Sequence, residues 1–319
     1  MRLQIVHRTE YLYSSPVSEN FNELRLQPVS NEVQECHRFQ LSTTPQAPVR
    51  RYHDFHLNLV DHFYVAETHT KLVIEAKSTV STAGPRPEVA TASFPMSRLG
   101  ECLRMERCYD FLQTSEYVPL DVDVWRLGRD SIEGIADAWD AARAMMGFIH
   151  RTFVYDATAT TVHTRVADVL LNRRGVCQDF AHVLISMCRS MKIPARYVSG
   201  YLYVSPTETL RGDLASHAWV EVYLPGFGWL PLDPTNNRPA DDHHVKVAIG
   251  RDYADAAPIR GNFKGRASQT MNVQLQITRL DGEPSSLPMP ASSLWIMPSV
   301  GPPAPRIRAN DPERPTPYG

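Results

Sequence analysis

Gly175 and Pro194 bracket a stretch in which Phe180, Leu184, Met187 and Met191 recur at helical spacing, and three segments of strand-like composition follow it directly. A helix is expected from about Cys177 to Lys192, because glycine interrupts the pattern before it and proline cannot continue it. Beyond it, Arg196–Val204, Ser216–Leu224 and Trp229–Leu232 are rich in Val, Tyr, Leu and Trp, and Pro225-Gly226-Phe227-Gly228 supplies a turn between the last two. Helix first and antiparallel strands after is an α+β plan.

The rest of the chain divides around this core. From Met1 to about Val80, short alternating stretches (Arg2 to Arg8, Arg38 to Leu41, Phe63 to Ala66, Lys71 to Ala76) are broken by Pro, Ser and Asn, which is the pattern of a β-sandwich-like module. Gly84, Pro85 and Pro87 crowd the segment Ser81–Glu88, which reads as a linker. The expected organisation is a β-rich N-terminal module over 1–85, a linker with helical connection over 86–130, the α+β core over 131–280 and a proline-rich tail over 281–319. Ile135, Trp139, Ala142, Met146 and Ile149 mark one face of a helix between Ser131 and His150, with Ser131 as its N-cap. Val166, Val169 and Leu170 mark a shorter helix, and alternation at Met271–Leu280 adds a strand whose sheet the sequence leaves open. About ten of the 25 prolines lie from Asp281 onward, so the tail is expected to be extended or disordered, with Trp295 and Ile296 as docking residues.

Composition narrows the function. The chain has 319 residues, 43% hydrophobic and 21% charged, the proportions of a globular protein of one large or two medium domains. A formal charge of −2 and a pI near 6.6 give no basic stripe for phosphates, so nucleic acid is excluded as a partner and an uncharged or small polar substrate is expected. Met1 to Arg8 alternates apolar and polar residues at once, and no run of about 18 apolar residues follows, so neither secretion nor a membrane span is expected. Cys36, Cys102, Cys108, Cys177 and Cys188 are odd in number and scattered, which argues for a reducing, cytoplasmic setting rather than a disulfide framework.

In such a setting a thiol stays reactive, and Arg174-Gly175-Val176-Cys177-Gln178-Asp179-Phe180-Ala181 puts one where a loop ends and a helix begins. Unpaired N–H groups and the helix dipole favour a thiolate there, and the same N–H groups can donate to an oxyanion when the thiolate attacks a carbonyl. A thiolate needs an imidazole to hold the ion pair and protonate the leaving group, and the imidazole needs an acceptor to fix its tautomer. Ser216-His217-Ala218-Trp219-Val220-Glu221 places His217 at the head of one strand, and Trp229-Leu230-Pro231-Leu232-Asp233-Pro234-Thr235 places Asp233 at the end of the next. A hairpin brings the two ends together.

Gly175-Val176-Cys177-Gln178-Asp179, Ser216-His217-Ala218-Trp219-Val220-Glu221 and Leu232-Asp233-Pro234-Thr235 resemble, in order and spacing, the three boxes of the transglutaminase-like superfamily. The resemblance covers about Arg151 to Asn237 and implies a papain-like core with Cys177, His217 and Asp233 as catalytic triad. It also implies that Tyr155 flanks the cysteine and adds its hydroxyl to the oxyanion hole. His7 to Tyr13 and Leu24 to Pro28 are similar to the β-rich module that precedes this core in bacterial members. That module often carries an Asp-aromatic-Gly-Asn turn, from which Asp54-Phe55-His56-Leu57-Asn58 departs. Relatives of this kind include calcium-dependent crosslinkers, peptide amidases, proteases and zinc-containing peptide N-glycanases. This chain has neither Cys-x-x-Cys pairs nor a loop of closely spaced carboxylates, so no metal and no other cofactor is assigned.

The implied reaction is thiol-dependent acyl transfer at an amide or peptide bond through a thioester, with hydrolysis favoured over transglutamination. The alternative is a non-catalytic peptide-binding module on the same core. Gln178, Trp219 and Trp229 are substrate-groove candidates, with a core role open for the tryptophans. Cys188 and His182 are read as packing residues, and Glu221 as a solvent-facing carboxylate. His53, His56, His62, His243 and His244 lack the spacing that completes a metal site, so solvated or hydrogen-bonded roles are expected for them.

Overall fold

The computed structural model describes residues 1–84, 87–205, 207–208, 210–211, 216–281 and 295–297. The N-terminal half is a sheet built on one long strand, β1 (Arg2–Leu24), with β2 (Gln34–Thr44), β3 (Val49–His53), β4 (Leu59–Val65) and β5 (His69–Thr82) around it. β1 shifts register between its two halves. The first pairs with β5, which carries β2, and the second pairs with β4, which carries β3. Alternation along β1 puts Leu3, Ile5, His7, Thr9, Tyr11 and Tyr13 on one buried face. Tyr11 and Tyr13 join Leu24, Phe63, Leu72 and Ile74 inside the N-terminal unit, whereas Leu3 and Ile5 join the core of the second half.

Short helices α1 (Pro87–Thr91) and α2 (Glu106–Tyr109) connect to α3 (Val122–Ser131) and α4 (Ala138–Thr152). Ser131 therefore ends one helix instead of capping the next. Gly134 turns the chain at φ 75, and the Asp137 carboxylate accepts the N–H groups of Trp139 at 2.8 Å and Asp140 at 3.2 Å, which fixes the start of α4. The apolar periodicity at Ile135 runs across that turn and gives no sign of it.

Next come β6 (Val154–Tyr155), α5 (Val166–Asn172), β7 (Arg174–Gly175), α6 (Cys177–Ser190), β8 (Ala195–Leu202), β9 (His217–Leu224), β10 (Gly228–Leu232) and β11 (His244–Gly250). The last four form an antiparallel sheet in the order β10-β9-β8-β11. Register places Ala218, Val220 and Val222 opposite Ser199, Tyr197 and Ala195 on one face, in the cluster around α6. His217, Trp219 and Glu221 fall on the other. Arg189, fully buried near the end of α6, donates to the carbonyls of Ala195, Gln113 and Arg251, so the helix is tied to β8 and to two loops.

After α7 (Tyr253–Ala256), β12 (Ile259–Lys264) and β13 (Gln269–Arg279) return to pair with β1, and β14 (Trp295–Met297) pairs with β13. The strand read at Met271–Leu280, which the 131–280 range assigns to the core, thus hydrogen-bonds into the N-terminal sheet, because the open edge of β1 lies there. Pro85 of the linker, and the tail apart from Asp281 and Trp295–Met297, lie outside the described residues.

The loop between β3 and β4 is where this chain departs from the Asp-aromatic-Gly-Asn turn. Asp54 accepts the N–H groups of His56 at 3.0 Å and Asn58 at 2.9 Å, and Asn58 reaches across to the Ile249 backbone through both ends of its amide. Leu57 closes the loop at φ 62 with its side chain 79% exposed. A left-handed leucine costs about 1–2 kcal/mol and here gains little burial in return. Leu57→Gly is expected to raise the unfolding free energy in urea by about 1 kcal/mol, part of the relief being offset by the greater chain entropy of glycine.

Candidate active site

α6 begins at Cys177. Val176 is its N-cap by position but has no side-chain acceptor, so only the reverse bond forms, with the Asp179 carboxylate accepting the Val176 N–H at 2.8 Å. Phe180 is the first residue whose N–H reaches a carbonyl at the head of the helix, that of Val176, leaving the N–H groups of Cys177 and Gln178 outside the helical ladder. Burial pushes Asp179 up to about 6 against the bonds from Val176 and Thr160. Gly175 is required here: a Cβ on it would lie 2.7 Å from the Asp179 carboxylate. Cys177 itself is 8% exposed.

His217 opens β9 and Asp233 follows β10, so the β9–β10 hairpin sets them side by side, with His217 Nε2 2.9 Å from Asp233 Oδ2. Asp233 is completely buried and accepts further bonds from the N–H groups of Thr235 (2.9 Å) and Asn236 (3.3 Å), from Asn236 Nδ2 (2.8 Å) and from His244 Nε2 (3.2 Å). Burial raises the carboxyl pKa, but the charges and hydrogen bonds of His217 and His244 prevail and hold it well below the usual carboxylate range. For His217, burial disfavours the charged ring, yet Asp233 and then Cys177 outweigh it and push the imidazole up to about 10. With Nε2 committed to Asp233, Nδ1 is the nitrogen left for the thiol. It is buried without a partner at full hydrogen-bond geometry, a contact of the kind that tightens when substrate binds.

His217, Asp233 and His244 have ligand-type atoms within 4.8 Å of one another. Protons shared with Asp233 account for the spacing, and we read the cluster as hydrogen-bonded. The sequence suggests a solvated or hydrogen-bonded role for His244 but not its place beside Asp233. This residue begins β11, opposite Leu202, and no local motif marks it, because only the sheet brings it to Asp233.

Residues 126–234 match the model of the transglutaminase-like superfamily, and residues 3–81 match that of the bacterial transglutaminase-like N-terminal region. An uncharacterized protein of Mycobacterium leprae is 34% identical over 289 residues, covering 88% of this chain and 99% of its own length. The chain belongs to the transglutaminase-like superfamily. A crystal structure of a candidate cysteine protease from Cytophaga hutchinsonii superposes with a TM-score of 0.70 at 25% identity, covering 93% of this chain and 98% of its own. The protein-glutamine gamma-glutamyltransferase of Pseudomonas aeruginosa is 33% identical over 100 residues, which is 30% of this chain and 15% of that protein.

Within this transglutaminase-like core the other singled-out residues fall as follows. Tyr155 lies on β6 opposite Gly175 of β7, beside the chain leading into Cys177, with its ring edge-on to Phe180. Gln178 is buried and its amide donates to the Val162 carbonyl at 3.0 Å, fixing the loop before α5. Trp219 is 2% exposed and stacks on His217 with ring centroids 6.1 Å apart. Together with Trp229, Pro231, His244 and residues 31–34 of the N-terminal half it lines a cavity of about 350 Å³. His182 is buried, stacked on Tyr117 and accepting the Tyr253 N–H, and Cys188 is fully buried.

Glu221 is the clear correction. The strand parity that suggested a solvated carboxylate is right about the face but not about its surroundings, because Gln34 bonds both the N–H and the carbonyl of Lys246 and brings the N-terminal segment over it. Glu221 is 4% exposed, paired with Arg196 at 2.6 Å and with Lys246. Burial acts to raise its pKa, but the two cations depress it to about 2. Since the folded value lies below the unfolded one of about 4.3, this stabilisation is complete above that pH and is lost as pH falls towards 2. Glu221→Ala removes the buried carboxylate that Arg196 and Lys246 share and is expected to cost about 3–5 kcal/mol at pH 7. Urea titrations should show the gap to wild type closing between about pH 4 and pH 2.

Proposed function

We propose that the protein catalyses thiol-dependent acyl transfer at an amide or peptide bond, with water as the preferred acceptor. The observation that carries the reading is the imidazole of His217, bound to a buried carboxylate through Nε2 and left open at Nδ1 on the side of the helix-start cysteine. Cys177 Sγ attacks the carbonyl carbon and forms the S–C bond. Negative charge moves to the carbonyl oxygen, where the N–H groups at the head of α6, and by family resemblance the Tyr155 hydroxyl, are placed to receive it. His217 gives its Nδ1 proton to the departing nitrogen as the C–N bond breaks, leaving a thioester. Water then loses a proton to Nδ1 and adds to the thioester carbon, and cleavage of the S–C bond returns the thiolate. The superfamily and the partial likeness to a glutamyltransferase support the acyl-transfer class. Hydrolysis is favoured because the sequence shows no calcium loop. The proposed setting is cytoplasmic, on the odd and scattered cysteines; no helix among the described residues is long and apolar enough to cross a membrane.

The imidazolium persists far into the alkaline range, so positive charge stands beside the sulfur throughout the neutral range. Iodoacetamide alkylation of Cys177, followed by peptide mass spectrometry, should therefore stay fast from pH 8 down to pH 6. In His217→Ala it should fall about tenfold per pH unit, as for an ordinary thiol with a pKa of about 8.5. Parallel profiles in the two proteins would remove the ion pair and with it this reading. With an acyl-glutamine substrate, release of ammonia without incorporation of an added amine would support water as acceptor, and efficient amine incorporation would reverse that preference.

A further inference from the structure

His244 is a buried titratable group beside the triad to which the acyl-transfer steps give no role. Its surroundings define its state. His217 faces it from β9 at a ring-centroid distance of 5.9 Å, and Trp219 meets it edge-on at 5.3 Å. Asp233 lies at Nε2, while Asp241 lies at Nδ1 through both its backbone N–H and its carboxylate, each at 3.2 Å. Arg238 adds a positive charge from the turn after β10. Burial first, then the positive charges of His217 and Arg238, outweigh Asp233 and lower the proton affinity of His244. A neutral imidazole carries one N–H, and Asp233 can only accept. Nε2 therefore carries a proton towards Asp233, while Nδ1 has both the N–H and the carboxylate of Asp241 within reach.

We propose that His244 is a positioning residue for the thiol chemistry: its Nε2–H holds Oδ2 of Asp233, the oxygen that orients His217, in the plane His217 requires. Oδ1 is fixed independently by the Thr235 and Asn236 backbone. Oδ2 by contrast is held by side chains: by His217 itself, by Asn236 Nδ2 from the turn at 2.8 Å, and by His244 from β11, the partner that is neither the ring to be oriented nor part of that turn. The inference rests on the acyl-transfer reading above.

The cavity of about 350 Å³ that borders His244 makes the idea testable, because it has room for a free imidazole molecule once the side chain is removed. The readout is the rate of Cys177 alkylation by iodoacetamide between pH 6 and pH 8, which needs no knowledge of the substrate. His244→Phe, which fills the space without a donor, and His244→Ala should both slow alkylation at pH 6.5 about tenfold, the worth of one hydrogen bond to a charged group. Free imidazole should restore His244→Ala but not His244→Phe, and His244→Gln, which keeps a side-chain N–H, should recover much of the wild-type rate. Wild-type rates in the Phe variant, or slow rates that neither imidazole nor glutamine raises, would overturn the proposal. If His217→Ala also matches wild type, the acyl-transfer reading falls with it. If His217→Ala is slow and His244→Phe is not, this inference alone is lost.

Discussion

A single carboxylate, completely buried and accepting five hydrogen bonds, organises the second half of this molecule. Asp233 takes two backbone N–H groups from the turn it begins, an amide N–H from Asn236 and one ring nitrogen from each of two histidines. An isolated carboxylate in such a place would take up a proton; five donors keep it charged. That charge obliges His217 to present Nε2–H to it, and so leaves Nδ1 for the sulfur. It also ties the end of β10, the start of β9 and the start of β11 to one point.

The sheet that supports this point has two unlike faces. One packs on α6 through small and branched apolar residues. The other carries Trp219, so close to Gly200 that a Cβ there would lie 2.6 Å from its ring, together with Glu221, Arg196 and Lys246, charged types normally found at a surface. It is closed by residues 29–34, with Val29 and Gln34 bonded to the Lys246 backbone. β12 and β13 then carry the chain back to β1. The N-terminal module thus covers the face that carries Glu221 and Lys246, and its Leu3 and Ile5 belong to the same apolar cluster as α6.

This division explains what could be read from the sequence. The helix at Cys177, the hairpin carrying His217 and Asp233, and the strands from Arg2 to Ala76 are legible because each is set by local periodicity, by a turn or by a short motif. Ser131 was misplaced as a cap because Asp137, six residues on, offers a carboxylate to two N–H groups, and a turn through Gly134 hides within an apolar pattern. Glu221 and His244 were not legible for a different reason. Parity gives the face of a strand but not what covers it, and the cover comes from a segment about 190 residues earlier for Glu221 and from β9 and the turn after β10 for His244.

The proposed triad is also nearly dry, with Cys177 at 8% exposure, His217 at 1% and Asp233 at none. Low dielectric strengthens the attraction between thiolate and imidazolium, and it makes an unpaired charge costly, so the site works only if its geometry is fixed beforehand. The fixing is visible at each member. α6 is buried along nearly its whole length and tethered through Arg189, which holds the sulfur on a rigid element. Asp233 is held by its own turn, and the His217 ring lies between that carboxylate and the face of Trp219. On the side facing the head of α6, Nδ1 of His217 is buried without a partner, and the N–H groups of Cys177 and Gln178 lie outside the helical ladder. In the proposed reaction, an amide presents a carbonyl oxygen to those N–H groups and a leaving nitrogen to His217, and so completes hydrogen bonding that the folded chain leaves open.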